Sequence, residues 1–331
     1  MVSSKNNQSQ LILFGGTTNL TNMDIHTTPS VLSLKFLSWY FRSVRTYSEG
    51  NPKTYFKTAI SIWRNRRLYK DLRRFEPSSS IDRYLQKRPE VFGVFVWPFV
   101  CSEWNVEEKI ERIVNHFGTI DRMQTAIQLD LDNQLVLADL SRYSEGLKLV
   151  LDQPKWFMRE GLFALNIFVG DFRAFTCAFS LYTNRDSSID IYVGAIQGRS
   201  TPGALDLYRE LTKHLCGIRP RDFLVESLRL FGEKLEVNRI LAVSDSSRIH
   251  SHPYFKKHEE VYASYNQVWE ERGGKPSDSC FYNLPSKYQK REISEIPSKK
   301  RSLYRKKLNL LEKMSFLISE NLTTTEERGT I

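Results

Sequence analysis

Cysteine is scarce in this sequence of 331 residues, which contains four. The four are scattered, with no Cys-x-x-Cys pair and no spacing typical of zinc ligands. This pattern predicts buried, reduced thiols in a cytosolic protein, and it gives no metal site. The residues are Cys101, Cys177, Cys216 and Cys280.

Long hydrophobic runs are also missing. No window approaches the roughly 18 consecutive apolar residues that a membrane-spanning helix needs. Near the N-terminus the apolar run Leu11–Phe14 is short, and no small-residue cleavage site follows it, so we expect no secretory signal. The expected location is the cytoplasm, with peripheral attachment to the inner membrane as the alternative.

Motifs of well-known catalytic sites are absent as well. The sequence contains no nucleophile elbow, Walker loop, His-Glu-x-x-His helix or convincingly spaced carboxylate pair. This absence counts against a hydrolase and an ATPase. The sequence also contains no internal repeat and no motif specific for nucleic acids.

Positive charge is concentrated in two flanks of the chain. The net charge is +10, yet the segment Lys35–Arg74 carries +9 and the segment Ser286–Lys313 carries +7. The rest of the chain is therefore mildly acidic, at −6. Such asymmetry is typical of proteins with polyanionic partners, such as lipid headgroups, lipopolysaccharide or nucleic acid.

The pattern divides the chain into four parts. Residues 1–30 are rich in Ser, Thr and Asn and predict a flexible tail. Residues 31–90 predict a basic helical region, and residues 286–331 a basic C-terminal tail or helix. The core domain is expected at residues 91–285.

The basic helical region has two interpretations. Trp39, Phe41 and Trp63 lie among its lysines and arginines, so one helix could bury rings in an anionic membrane while cations meet headgroups. The plainer interpretation is a helical cap whose apolar stripe packs on the core. Nucleic acid is the third partner considered.

Strand and helix signals in the core predict an α+β fold. Two strands around the turn Gly170-Asp171 and a third at Ile189–Gln197 should be antiparallel. Two amphipathic helices then lead to a returning strand, Arg239–Ser244. Together these signals predict a mixed, mainly antiparallel sheet with a helical crossover, plus the N-terminal helical region.

Several segments together resemble the VirK/YbjX family of bacterial proteins, which is also described as a domain of unknown function. They are RPEVFGVFVWPFVCSEWNVEEKIERIVNHF at 88–117, YVGAIQG at 192–198, LTKHLCGIRPRDFLVESLRLFGE at 211–233, RILAVSDSSRIH at 239–250, and YNQVWEERGG at 265–274. The resemblance covers about residues 80–285. It implies a virulence-associated role, in the surface display of outer-membrane proteins and in resistance to host cationic peptides. It implies no particular reaction.

The order of elements after residue 189 is also similar to that of GNAT-type acyltransferases. That similarity implies a loop, here Gln197–Ala204, whose backbone N–H groups hold the pyrophosphate of coenzyme A. The usual glycine spacing is not met, Pro202 removes one N–H donor, and two helices stand where one is usual. We therefore expect no cofactor, with acyl-CoA as the alternative.

Two residues are candidates for catalysis. His250 could act as a general acid–base group or bind an anion, with structural hydrogen bonding as the favoured explanation. Its neighbours His252 and His258 do not give an established metal spacing, so no metal is predicted. Tyr265 could face a cleft as a general acid if the GNAT-like topology holds, and it is otherwise a core residue.

Six residues are candidates for binding a ligand or anion. Some surround a helix–helix corner, where a second helix starts at Pro220 and presents free N–H groups. Others border the predicted cleft. The helix dipole and ordinary core packing are the alternatives for both groups. The candidates are Gln197, Gly198, Lys213, Arg219, Arg221 and Trp269.

These observations lead to three functional hypotheses. The first is a virulence-linked accessory factor that supports the bacterial envelope from its cytoplasmic side, with basic flanks on anionic membrane surfaces or envelope components. The second is an acyl-CoA-dependent transferase acting on a lipid or protein. The third is nucleic-acid binding by the basic flanks, which would weaken steeply with salt.

Overall fold

The structure is a computed structural model that describes residues 41–42, 44–45, 52–72, 79–123, 125, 127–255 and 264–323. The predicted tail at 1–30, the residue Trp39 and the residue His258 lie outside these ranges.

Eight strands form one sheet. They are β1 (Leu135–Asp139), β2 (Leu147–Asp152), β3 (Phe163–Val169), β4 (Phe172–Thr183), β5 (Ile189–Gly198), β6 (Val237–Val243), β7 (Lys275–Pro276) and β8 (Phe281–Leu284). Their order across the sheet is β1-β2-β3-β4-β5-β6-β8-β7. Every neighbouring pair is antiparallel except β5 and β6, which are parallel. The predicted mixed, mainly antiparallel sheet is confirmed.

The α-helices pack around this sheet. One helix, α6 (Pro220–Lys234), directly precedes β6 in the connection from β5. It is buried along most of its length and contacts β3, β4, β5 and β6. The parallel pairing of β5 with β6 therefore requires the helical crossover that the sequence predicts. The described helices are α1 (Pro52–Arg64), α2 (Arg66–Asp71), α3 (Ser80–Lys87), α4 (Val106–Arg122), α5 (Ala204–His214), α6 (Pro220–Lys234), α7 (Tyr265–Glu271) and α8 (Ser298–Leu322).

Turn residues set the register of the central strands. Gly170, at the tip of the β3–β4 hairpin, has φ of +57°, a left-handed conformation that glycine adopts without steric cost. The β4–β5 turn is closed by Asn184, whose backbone N–H donates to the carbonyl of Ser188 at 2.8 Å. The first turn lies where the sequence predicts it.

A helical layer precedes the sheet. The eleven uncharged residues of 91–101 are all buried, and the first of them belong to a 3-10 helix, Pro89–Phe95. Helix α4 begins with a capping box, in which Asn105 and Glu108 each bond the other's backbone N–H. Its fully buried His116 accepts a hydrogen bond at Nδ1 from the Leu181 N–H of β4 at 3.0 Å. This bond ties the helical layer to the sheet.

The C-terminal helix α8 packs on α6 and β1. Its buried apolar residues face this contact, and Asn321 donates from Nδ2 to the carbonyl of Leu137 in β1 at 3.2 Å. The helix begins at Ser298, within the segment predicted as a basic tail or helix, and its first turns are rich in lysine and arginine. Its buried residues are Leu310, Leu311, Met314, Ile318 and Leu322.

Among the described helices, none combines the length and apolar character that crossing a bilayer requires.

Candidate functional site

The parallel strands β5 and β6 diverge in the middle of the sheet. Their pairing ends at Val193 and Ala242, while β5 continues along β4 to Gly198. Two side chains of α7 fill the resulting gap. Tyr265 Oη accepts a hydrogen bond from the Ile196 N–H of β5 at 3.0 Å, and Trp269 Nε1 donates to the Val243 carbonyl of β6 at 2.9 Å. These side chains therefore replace hydrogen bonds that the separated strands cannot give each other.

The carboxylate of Asp245, just after β6, holds the start of α7. It accepts hydrogen bonds from the backbone N–H groups of Tyr265 at 2.7 Å and Asn266 at 3.1 Å, and from the hydroxyl of Ser264 at 2.7 Å. An acidic side chain at a helix N-terminus satisfies donors that the helix itself leaves free. Asp245 thus positions Tyr265 in the gap.

A second acidic residue, Glu160, lies against β5 at Gly194. The carbonyl oxygen of Glu160 approaches β5 so closely that a Cβ at position 194 would lie 2.0 Å from it, which only Gly194 allows. The Glu160 side chain is buried, and its Oε2 has no hydrogen-bond partner. Burial raises the pKa of this carboxyl to about 7, although the charges of Arg159 and Arg248 act in the opposite direction.

Arg248 completes a set of four residues that we name the β5–β6 cluster: Glu160, Asp245, Arg248 and Tyr265. The Arg248 guanidinium lies 3.6 Å from the centre of the Tyr265 ring and 3.8 Å from Asp245 Oδ1. Burial raises the pKa of the Tyr265 phenol, and the charge of Arg248 opposes this shift. The cluster therefore combines a carboxyl that titrates near neutral pH with a phenol and a guanidinium, a combination found in acid–base sites.

The other catalytic candidate, His250, lies in a short 3-10 helix, Ile249–Ser251, and is exposed. Its ring centre is 5.2 Å from that of Phe255. Nearby, His252 accepts a hydrogen bond at Nδ1 from the Tyr254 N–H at 3.0 Å. No group of three or more metal-ligating side chains occurs within the described ranges. The structure thus brings Tyr265 into the cluster, whereas the role of His250 stays a prediction.

The predicted cationic corner is a network of ion pairs. Glu271 Oε2 accepts hydrogen bonds from Arg219 at 2.7 Å and Arg221 at 2.9 Å, and Asp222 contacts both arginines. Lys213 pairs separately with Glu210 on α5. The carboxylates therefore bring Arg219 and Arg221 together, and Lys213 stands apart from them. Anion binding at this corner stays a prediction.

Gln197 and Gly198 line a shallow cavity of about 430 Å³ together with Trp156 and Arg199. Its floor includes Arg173, which pairs with the buried Asp152. The predicted partner Trp269 does not line this cavity, because it is fully buried in the gap between β5 and β6. The structure therefore separates the two halves of the predicted cleft.

Helix α1 presents an unusual surface. Phe56, Ile60 and Trp63 recur at spacings of four and three, and their exposures are 64%, 52% and 49%. The opposite side packs inwards through Thr58 and Ile62. We name the three exposed residues the α1 stripe. Exposed basic residues lie beside the stripe. They are Lys53, Lys57 and Arg64 on α1, and Arg66 and Arg67 on α2.

Sequence patterns do not reveal Glu160 and Arg248 as site residues. Glu160 stands in a polar, glycine-containing connection and Arg248 in a serine-rich one, and such segments usually face solvent. The only available signal is the run of apolar residues on both sides of Glu160, Phe157-Met158 and Leu162. Burial of the carboxyl depends on the approach of this connection to Gly194, which no local pattern encodes.

Comparisons with known proteins identify relatives but no activity. Residues 50–320 match the family model described as "Protein of unknown function (DUF535)". The chain is 33% identical to "Uncharacterized protein YbjX" of Escherichia coli (strain K12) over 123 residues, which is 37% of each protein, so the match spans less than half of YbjX. An uncharacterized protein of Haemophilus influenzae is 27% identical over 225 residues, 67% of this chain and 74% of that protein. No solved structure matches. This family of unknown function is the one that the VirK/YbjX resemblance indicates. Since the family model covers most of the sequence, the chain belongs to the DUF535 family.

Proposed function

We propose that this protein is an accessory factor of the bacterial envelope that binds the anionic surface of a membrane through the α1 stripe and the basic residues beside it. The supporting observation is the exposure of Phe56, Ile60 and Trp63 on one side of a single helix. The link with virulence, with the display of outer-membrane proteins and with resistance to cationic peptides comes from the family resemblance alone.

The layout of α1 suits an interfacial helix. One side of α1 packs on the protein through Thr58 and Ile62, and the opposite side carries the apolar stripe. The basic residues Lys53, Lys57 and Arg64 lie between these two sides. Such a helix can lie in the plane of a membrane surface, with its rings among the acyl chains and its cations at the headgroups. The Arg66 guanidinium, 5.6 Å from the centre of the Trp63 ring, shows how closely the two kinds of side chain adjoin.

The expected energies are sufficient for reversible binding. Complete burial of a large apolar side chain contributes about 1.5–3 kcal/mol, so each half-exposed member of the stripe should contribute about 1 kcal/mol. Each cation near an anionic surface adds about 1 kcal/mol. Binding should therefore require both anionic lipid and the stripe, and it should weaken as salt screens the charges.

Sedimentation with vesicles tests this proposal. The wild-type protein should bind vesicles of phosphatidylglycerol and phosphatidylcholine, and bind pure phosphatidylcholine far less. The F56S/I60S/W63S variant should bind about 100-fold more weakly, since it loses about 3 kcal/mol. The matched control L205S/L303S/F316S removes three exposed apolar side chains elsewhere and should bind normally.

Two outcomes would contradict the proposal. One is equal binding of the stripe variant and the wild type. The other is equal recovery with neutral and anionic vesicles. Because the substituted side chains are exposed, circular dichroism melting curves of both variants should match that of the wild type, which excludes misfolding as the cause. Binding of oligonucleotides instead of vesicles would favour the nucleic-acid hypothesis.

The β5–β6 cluster supports a second candidate, an acyl-CoA-dependent transferase. A general base works best when its pKa lies near the operating pH, and Glu160 meets this condition. Tyr265, which lies on the free edge of β5, could donate a proton to a departing thiolate. This candidate also draws on the similarity to GNAT-type enzymes, and it requires Tyr265 and Trp269 to move, because they fill the gap.

Calorimetry with acetyl-CoA and longer acyl-CoAs tests the transferase. Binding should release heat and raise the melting temperature. It should also change the tryptophan fluorescence, and the loss of this change in the W269F variant would assign it to Trp269. E160Q should retain acyl-CoA binding but lose transfer, because the carboxamide cannot accept the proton. Absence of both heat and thermal shift across the series would eliminate this candidate.

A further inference from the structure

A second cavity, of about 720 Å³, opens at the end of β5 opposite to Gln197 and Gly198. Arginines outnumber acidic residues in its lining, by three to one. Two tyrosine rings and several neutral hydrogen-bonding side chains complete it. The lining residues are Arg112, Tyr182, Asn184, Arg185, Asp186, Ser188, Tyr192, Asn238 and Arg239.

Arg112, on α4, is held among aromatic rings. Its guanidinium carbon lies 3.9 Å from the centre of the Tyr182 ring, 4.5 Å from Tyr192 and 5.1 Å from Trp104. The rings come from the connection before α4 and from strands β4 and β5, so the fold fixes the guanidinium in place. Such stacking stabilises a cation but satisfies none of its hydrogen-bond donors.

Two hydrogen-bond donors of the Arg112 guanidinium are not used within the described part of the chain. Its Nε and Nη1 are buried without a hydrogen-bond partner. In the same ranges no carboxylate lies within ion-pair distance of it. Buried donors of this kind are rare in folded proteins and call for an explanation.

The acidic residues around the cavity are already engaged. Glu111 accepts a hydrogen bond from the Tyr182 hydroxyl at 2.7 Å, and the buried Asp190 pairs with Arg239 at 2.6 Å. Asp186 accepts from the backbone N–H and the hydroxyl of Ser188, at 3.0 and 2.6 Å. None of them neutralises Arg112. A preformed cation without a counter-charge therefore stands at the wall of an open cavity.

We propose that this cavity binds the phosphate or carboxylate group of a small anionic ligand, with Arg112 as its fixed anchor and Arg185 as a second cation at the rim. The planar guanidinium matches the oxygens of either group. The amide of Asn238 can bond further polar atoms of the ligand, and the tyrosine rings offer it an apolar face. This site is independent of membrane binding by α1.

Titration calorimetry with inorganic phosphate and with citrate, at matched ionic strength, tests the site. The wild type should bind at least one of these anions. R112Q and R185Q should each weaken binding about tenfold or more, because each removes a charge-assisted hydrogen bond. R112K should give an intermediate affinity, since it keeps the charge but not the fork. R209Q removes an exposed arginine of α5, paired with Asp206, and should bind as the wild type does.

The preference between the two probes assigns the ligand class, because phosphate reports a phosphoryl group and citrate a carboxylate. Arg185 is exposed, so R185Q carries the test even if R112Q fails to fold. The α1-stripe variant should bind the anion normally, which separates this site from the membrane surface. Absence of binding by the wild type to both anions, or equal binding by R185Q and R209Q, would overturn the proposal.

Discussion

Replacing Gly194 with alanine should destabilise the protein by about 3 kcal/mol or more, because the new methyl group meets backbone atoms and not a flexible side chain. The added Cβ would lie 2.0 Å from the carbonyl oxygen and 2.9 Å from the carbonyl carbon of Glu160. Real Cβ contacts do not reach such distances. The strand and the connection that covers it must therefore separate, and the buried side chains around Glu160 lose their contacts.

Urea denaturation of G194A measures this loss. The matched control is G118A in α4, where the new Cβ would lie at an ordinary contact distance of 3.7 Å from Arg122 Nη1. In a helix interior, alanine is more favourable than glycine by about 0.5–1 kcal/mol, so G118A should be as stable as the wild type or slightly more stable. A midpoint for G194A equal to that of the wild type would show that the connection does not lie against β5.

The second large effect concerns the pH dependence of stability. Glu160 has a pKa of about 7 in the folded protein and about 4.5 in the unfolded chain, so the folded state binds this proton more tightly. The resulting stabilisation is fully present below pH 4.5 and is lost as pH rises through 7, a change of about 3 kcal/mol. In E160Q, which cannot ionise, this dependence should disappear. The variant should therefore be more stable than the wild type at pH 8 and about equal to it at pH 4.5.

The contribution of His116 to stability changes with pH in the opposite direction. E160Q and the wild type must therefore be compared with each other at each pH. Burial lowers the pKa of the His116 imidazole from 6.5 to about 3, so its contribution to stability is lost as pH falls from 6.5 towards 3. Because both proteins contain His116, its contribution cancels in the difference between their free energies of unfolding. The control E145Q, at an exposed site, should show no such difference. A difference between E160Q and the wild type that stays constant from pH 4.5 to 8 would contradict the burial of Glu160.

Local patterns were sufficient to predict the sheet. Turn residues such as Gly170-Asp171 and helix starts such as Pro220 act within a few residues, so the hairpin and the crossover helices could be located from them. The burial of residues 91–101 followed from their lack of charge. Their 3-10 conformation did not, because a fully buried segment shows no periodicity.

The site residues were harder to predict because their properties arise from distant contacts. Tyr265 was identified from its place in α7, but its hydrogen bond to Ile196 depends on the separation of β5 from β6. Arg112 lies among other charged residues of helix α4, and the rings that enclose it come from three other segments. The exposure of the α1 stripe could not be predicted either, because the sequence pattern is equally compatible with Phe56 and Ile60 facing the core.

Quenching of tryptophan fluorescence by anionic vesicles with brominated acyl chains tests most directly whether the α1 stripe enters the membrane. Quenching requires an indole ring at the depth of the acyl chains. It should be strong in the wild type and in W156F, which removes another exposed indole, and it should fall sharply in W63F. Equal quenching of W63F and the wild type, or vesicle binding without quenching, would show that this surface does not carry the interaction.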